Sequence, residues 1–301
     1  MFLTIFSSVL LPLVIVAGLG FALGRLRGLD PKPLADAAFY VFNPSLAFAT
    51  LSTSTVQPTM LGRLVLLKLA ATILTVILAS LGARSLRLSA PATSALIMAA
   101  SFSNSGNFGM PASEYAFGEA GLTFAVICYI ADNLVMNSFG VFVAARGHVS
   151  ARRALAKVLE NPAVLAVPLA LLANQSGWIA PLWLERALKL LSQAAVPVMI
   201  TLLGVQIARM DVTRRHTASI GLATALKLVV MPAMAYAVSR PLGLTGLALK
   251  VGLLQTAVPT AVMPTILATK FESEPSMVAS TVLATSLVSL LTLTALLMMM
   301  G

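Results

Sequence analysis

The chain has 301 residues, 58% of them hydrophobic and 10% charged, with a formal net charge of +10 at pH 7. A soluble domain carries about 25% charged residues, and the polar helix faces that a water-soluble all-helical protein needs are missing. The basic excess therefore belongs to the loops of a membrane protein, where Lys and Arg set orientation, and not to a nucleic-acid surface. Cys128, the one cysteine, lies in an apolar run, which excludes an internal disulfide and assigns it to packing.

Ten charge-poor segments are predicted as spans, at 2–24, 36–53, 62–83, 89–111, 120–144, 161–174, 187–208, 217–239, 244–269 and 276–299, most of them long enough for ~30 Å of hydrocarbon. The first lacks a leading charge and is too long for a signal peptide; its Gly20 and Gly24 form a small-residue packing face. Lys68 and Lys227, in the third and eighth spans, are expected near span ends, with Lys250 about one turn into the ninth, all three reaching the interface by snorkelling. The fourth span contains SFSNSGNFGMP at 101–111. Gly106 and Gly109 each disfavour helix by about 1 kcal/mol and Pro111 by about 3. The fifth span carries Asp132 beside Asn133 and Asn137. A lone intramembrane carboxylate is a functional candidate: Asp132 is either a proton-coupling group or a structural partner of Lys68, Lys227, Lys250 or the asparagines. Pro168 interrupts the sixth span, after which Trp178 and Trp183 suit interfacial anchors. The ninth repeats the break with QTAVPTAVMP at 255–264, bracketed by Pro259 and Pro264.

Loops after odd-numbered spans hold thirteen Lys and Arg and the others four, which makes the former cytoplasmic and puts both termini outside. Pro44 and Pro197, Pro111 and Pro264, and Arg87 and Arg240 all stand 153 positions apart, in corresponding spans. Five spans per half is odd, so the halves are inverted. The expected fold is an all-α polytopic membrane protein of ten helices in two inverted five-helix repeats, 1–144 and 161–301, joined by a basic cytoplasmic linker, 145–160. Such repeats mark secondary transporters.

A break in lipid must be buried or line a wet cavity, because an unpaired backbone group there costs several kcal/mol. Two breaks in equivalent inverted positions, the fourth and ninth spans, would cross near the midplane and offer half-helix amides to an anion. Ser103, Asn104, Ser105 and Asn107 from one break, with Gln255, Thr256 and Thr260 from the other, supply uncharged donors for a carboxylate. No catalytic constellation, phosphate-binding glycine motif, metal-ligand set or cofactor motif accompanies them, so neither an enzyme nor an ATP-driven pump is expected.

The motifs YVFNPSLAFATLS, SNSGNFGMP, LSQAAVPVMITLLGVQIA and VPTAVMPTILATKF resemble those of the auxin efflux carrier family, and the resemblance covers essentially the whole chain. It implies an elevator carrier in the cell (inner) membrane. Spans 1, 2, 6 and 7 would form a scaffold, often homodimeric. Spans 3–5 and 8–10 would form the moving transport unit, with the substrate at the crossover. Asn104, Pro111, Pro259 and Pro264 match the family's crossover asparagine and prolines. Ser103 stands where plant members have proline and Thr260 where they have glutamine, and the long central loop of plant members is absent. The implied substrate is a small organic anion such as malonate, malate or an auxin-like weak acid. Coupling is to protons or absent, and the alternative is a sodium-coupled symporter of the bile acid type.

Overall fold

The computed structural model describes residues 2–145 and 161–300; the rest of the expected linker, with His148, lies outside the described residues. Among the described residues eleven helical segments follow one another: α1 Phe2–Leu26, α2 Pro31–Ser52, α3 Pro58–Ser85, α4 Ala90–Ser101, α5 Ser105–Ala144, α6 Pro162–Gln175, α7 Leu182–Ala208, α8 Thr217–Ser239, α9 Gly246–Ala257, α10 Met263–Lys270 and α11 Pro275–Met300. Seven are long and apolar enough to cross a membrane; α4 and α6 are apolar but shorter. The difference from ten predicted spans has a local cause. The fourth and ninth are interrupted, so each is divided between two segments, and the sixth is only 14 residues long. A straight 40-residue α5 would be about 60 Å long, twice the hydrocarbon thickness. Gly118, at φ 67° and ψ −163°, turns the chain and divides α5 into 105–117 and 119–144.

Burial is arranged for lipid. Leu3, Ile15 and Leu19 on α1, Ile73 on α3, Leu169 on α6 and Leu291 on α11 are exposed, whereas Ala71, Thr75 and Ala79 on α3 and Thr281, Thr285 and Ser289 on α11 are buried. Small and hydroxylated residues let membrane helices approach closely. Their hydroxyls turn back onto the helix, as when Thr75 donates to the Ala71 carbonyl at 2.8 Å. The chain is a multi-pass membrane protein.

α1 runs along α7, and α2 packs on α6 and α7, with the Asn174 amide donating to the carbonyls of Ser52, the last residue of α2, and of Ser54 just beyond it (2.9 Å each). Gly20 and Gly24 press on Thr201, Val205 and Ala208, and Gly204 faces Ala17 so closely that an added methyl would enter the Ala17 carbonyl and the Phe21 amide. Gly204→Ala should therefore cost about 1–3 kcal/mol by overpacking. Gly18→Ala, which faces open space, should cost nothing, and unfolding midpoints in detergent compare the two.

Two interruptions stand at the centre. α4 stops at Ser101 and Phe102 is extended (φ −103°, ψ 119°). α9 stops at Ala257, and Val258 is extended (φ −64°, ψ 157°), as a residue before proline prefers. Both chains then resume as helices with proline in the first α-helical turn, Pro111 and Pro264. The extended pieces cross antiparallel, Ser103 opposite Thr260. The Asn104 amide donates to the Pro259 carbonyl at 2.8 Å and the Ala261 amide to the Phe102 carbonyl at 3.0 Å. Each break thus satisfies backbone groups freed by the other, which lipid could not do.

Candidate functional site

The first break falls on Phe102–Asn104, upstream of the glycines and proline that signal it. Ser105–Gly109 forms one wide π turn, with the Gly109 and Phe108 amides both donating to the Asn104 carbonyl (2.9 and 3.2 Å). Gly106 and Gly109 serve close approach: a Cβ on Gly106 would meet the Tyr129 ring at 2.8 Å, and one on Gly109 would collide with the Gln255 side chain. Pro259 lies in the crossing itself.

Three charged side chains are buried among the described residues, Lys68, Lys227 and Asp132, and all three converge here. Lys68 pairs with Asp132 at 2.9 Å, donates to the Gln255 carbonyl at 2.9 Å and reaches Ser103 Oγ at 3.4 Å. Lys227 donates to the Thr256 carbonyl at 2.6 Å and to Ser103 Oγ at 2.9 Å. The two ammonium groups cap the last carbonyls of α9, which have no intrahelical partner and carry the negative end of the helix dipole. The snorkelling expected for Lys68 and Lys227 is overturned. Lys227 lies about 15 Å along α8 from Thr217, counted at 1.5 Å per residue, too deep for a surface exit, and both side chains turn inward. Asp132 takes the structural partner Lys68 and also accepts from Ser105 Oγ. With both lysines protonated and Asp132 ionised, the crossing carries a net charge of +1.

A cavity of about 190 Å³ lies between α2 and α7 on one side and the crossing with α5 on the other. Ser103, Asn104, Ser105, Asn107 and Asp132 line it; Gln255, Thr256 and Thr260 do not. The Asn104 Nδ2 is buried without a partner among the described residues. Asn107 donates to Gln206 on α7 at 3.4 Å. Gln255 donates to Ser113 Oγ (3.1 Å), Thr256 Oγ1 to the Leu253 carbonyl (2.8 Å) and Thr260 Oγ1 to the Ala99 carbonyl (2.6 Å). From the second break, Ala261, Val262 and Met263 line the cavity. Sequence reasoning missed Asn43 on α2 and Tyr129 on α5, which also line the cavity. It also missed the two lysines as members of the site; for Lys227 the depth within its span was the available signal.

Comparison with known proteins agrees with this architecture. The chain matches the family described as membrane transport protein over residues 5–153 and 146–297. It is 25% identical over 291 residues to an uncharacterized transporter of Methanocaldococcus jannaschii, covering 94% of each chain. It is 28% identical over 294 residues to an uncharacterized transporter of Methanothermobacter thermautotrophicus, covering 95% of this chain and 96% of that one. The long apolar helices, the paired breaks and these matches together make it a transporter and not an enzyme: the chain belongs to the membrane transport protein family, the auxin efflux carrier family that its motifs resemble.

Proposed function

We propose that the protein is a secondary carrier that moves a small organic anion, a carboxylate of the malonate, malate or weak-acid kind, through the cavity at the crossing by an elevator-type motion. The observation that carries this reading is the charge balance: two buried lysines against one aspartate, beside a cavity lined by Asn104, whose Nδ2 is buried without a partner among the described residues. A bound carboxylate would neutralise the surplus charge and give that amide its acceptor, and charge-assisted hydrogen bonds are the strong ones.

The finer architecture follows the same reading. Counted with the division at Gly118 and each broken helix as one span, the segments make ten, in two inverted sets of five. Asp132 and Thr285 stand at the same 153-residue interval as the prolines. They play matching parts, Asp132 accepting from Ser105 of one break and Thr285 Oγ1 from the Thr260 amide of the other (3.1 Å). The packing of α1, α2, α6 and α7 on one another suits the scaffold, which a homodimer would share, and the remaining segments suit the moving unit. A second cavity of about 400 Å³ shares Gln206, Val262 and Ile266 with the first and extends to Arg209 and Asp211. The loop bias makes that face cytoplasmic, with both termini outside, so the state is open inward.

Sodium coupling is the weaker reading. The Gln255 and Thr256 carbonyls, oxygens a sodium ion would seek, already receive ammonium groups. Uptake of labelled lactate, malonate and malate into proteoliposomes, with a proton gradient, a sodium gradient or neither, tests the proposal. Saturable, sodium-independent uptake is expected. Asn104→Ala should lower it about tenfold or more, since a hydrogen bond to a charged group contributes about 1.5–3 kcal/mol. Uptake that requires sodium, or that ignores Asn104→Ala, would contradict it.

A further inference from the structure

Asn43 sits on α2, across the cavity from the crossing, just after a π turn at Ala38–Phe42 and just before Pro44. Its side chain is 6% exposed. Its Nδ2 donates to the Tyr129 hydroxyl at 2.8 Å, a contact that spans from α2 to α5. Its Oδ1 is buried with no partner among the described residues. A buried carbonyl oxygen without a donor costs free energy, and such a group in a native fold calls for an explanation. Asn43 and Asn104 both line the cavity, and each carries one buried polar atom without a partner among the described residues, Asn43 Oδ1 and Asn104 Nδ2. One lacks a donor and the other lacks an acceptor.

We infer that Asn43 is a specificity-determining residue: the cavity selects small carboxylates that also carry a hydroxyl, which donates to Asn43 Oδ1 while the carboxylate accepts from Asn104 Nδ2. The inference rests on the anion-carrier reading and narrows it to hydroxycarboxylates. Size agrees. The cavity of about 190 Å³ is many times the ~10–15 Å³ that a single water needs, which leaves room for a three- or four-carbon acid. A carboxylate lacking the hydroxyl leaves the Asn43 oxygen buried and unpaired, and a site built to bond a hydroxyl rejects the analogue without one. The bond from Nδ2 to Tyr129 fixes the place of the Asn43 amide between α2 and α5.

The test is calorimetric binding at neutral pH to the purified full-length protein, with hydroxy acids paired against their deoxy partners: both lactate enantiomers against propionate, and both 3-hydroxybutyrate enantiomers against butyrate. At least one hydroxy acid should bind about tenfold tighter than its partner. Asn43→Leu should bring that ratio to about one. Equal wild-type binding within every pair would overturn the selectivity and leave the anion site standing. Absence of binding by all of the acids would remove the anion site as well. The wild-type ratios decide the matter even where Asn43→Leu fails to fold.

Discussion

Lys68→Met should destabilise the protein by about 3–5 kcal/mol, the cost of leaving a buried charge without its counterion. Lys68 is 1% exposed and pairs with an Asp132 side chain that is itself only 10% exposed. Removing the ammonium strips the pair and leaves the Gln255 carbonyl at the end of α9 without its donor. The double variant Lys68→Met with Asp132→Leu removes both charges and should recover most of the loss, because an apolar pair of similar volume often replaces a buried ion pair at little cost. Unfolding in mixed micelles measures the cycle. Additive effects of the two substitutions would mean that the two groups do not interact.

Asp132→Asn keeps the shape of the site and removes its one negative charge. With both lysines protonated, the crossing then carries two ammonium groups opposed by nothing but the substrate. Anion binding should tighten by about tenfold, equivalent to about 1.4 kcal/mol, and turnover should fall by at least tenfold, because release must work against the same attraction. A split of this kind, lower KM with lower kcat, marks an interaction that acts on the bound ground state. If Asp132 is the proton-coupling group and not only the partner of Lys68, the wild type responds to a pH gradient and the variant does not. Initial rates of uptake against substrate concentration, with and without the gradient, check both statements. Wild-type KM and kcat with unchanged pH response would release Asp132 from any coupling role.

The helical, membrane-embedded character of the chain was legible because each segment is apolar on its outward face, and the two breaks were legible because Gly, Asn and Pro cluster there. The position of the first break, on Phe102–Asn104, was displaced from its markers. Gly106 and Gly109 respond to neighbours distant in sequence, Tyr129 and Gln255, and Pro111 is tolerated inside a helix start, where its missing amide has no partner to lose. The lysines were misjudged for a related reason. A single cation in an apolar run does not reveal which face it occupies, and the carbonyls that receive Lys68 and Lys227 lie 187 and 29 residues away. The Asn43–Tyr129 contact, 86 residues apart in the chain, leaves no trace in local pattern. Gln255, Thr256 and Thr260 have the right chemistry for a site, but their side chains donate to Ser113, Leu253 and Ala99 and do not line the cavity, contacts that no local pattern announces.

Distance measurement by solid-state magnetic resonance, between carboxyl-labelled lactate or malonate and protein carrying isotope-labelled asparagine and lysine, reaches the crossing most directly. The carboxyl carbon should lie about 4 Å from Asn104 Nδ2, as a hydrogen-bonded carboxylate requires, and that signal should vanish in Asn104→Ala while the lysine signals persist. A bound carboxylate whose carbon approaches no asparagine, or whose spectrum is the same in Asn104→Ala, would contradict an anion site at the crossing of the two broken helices.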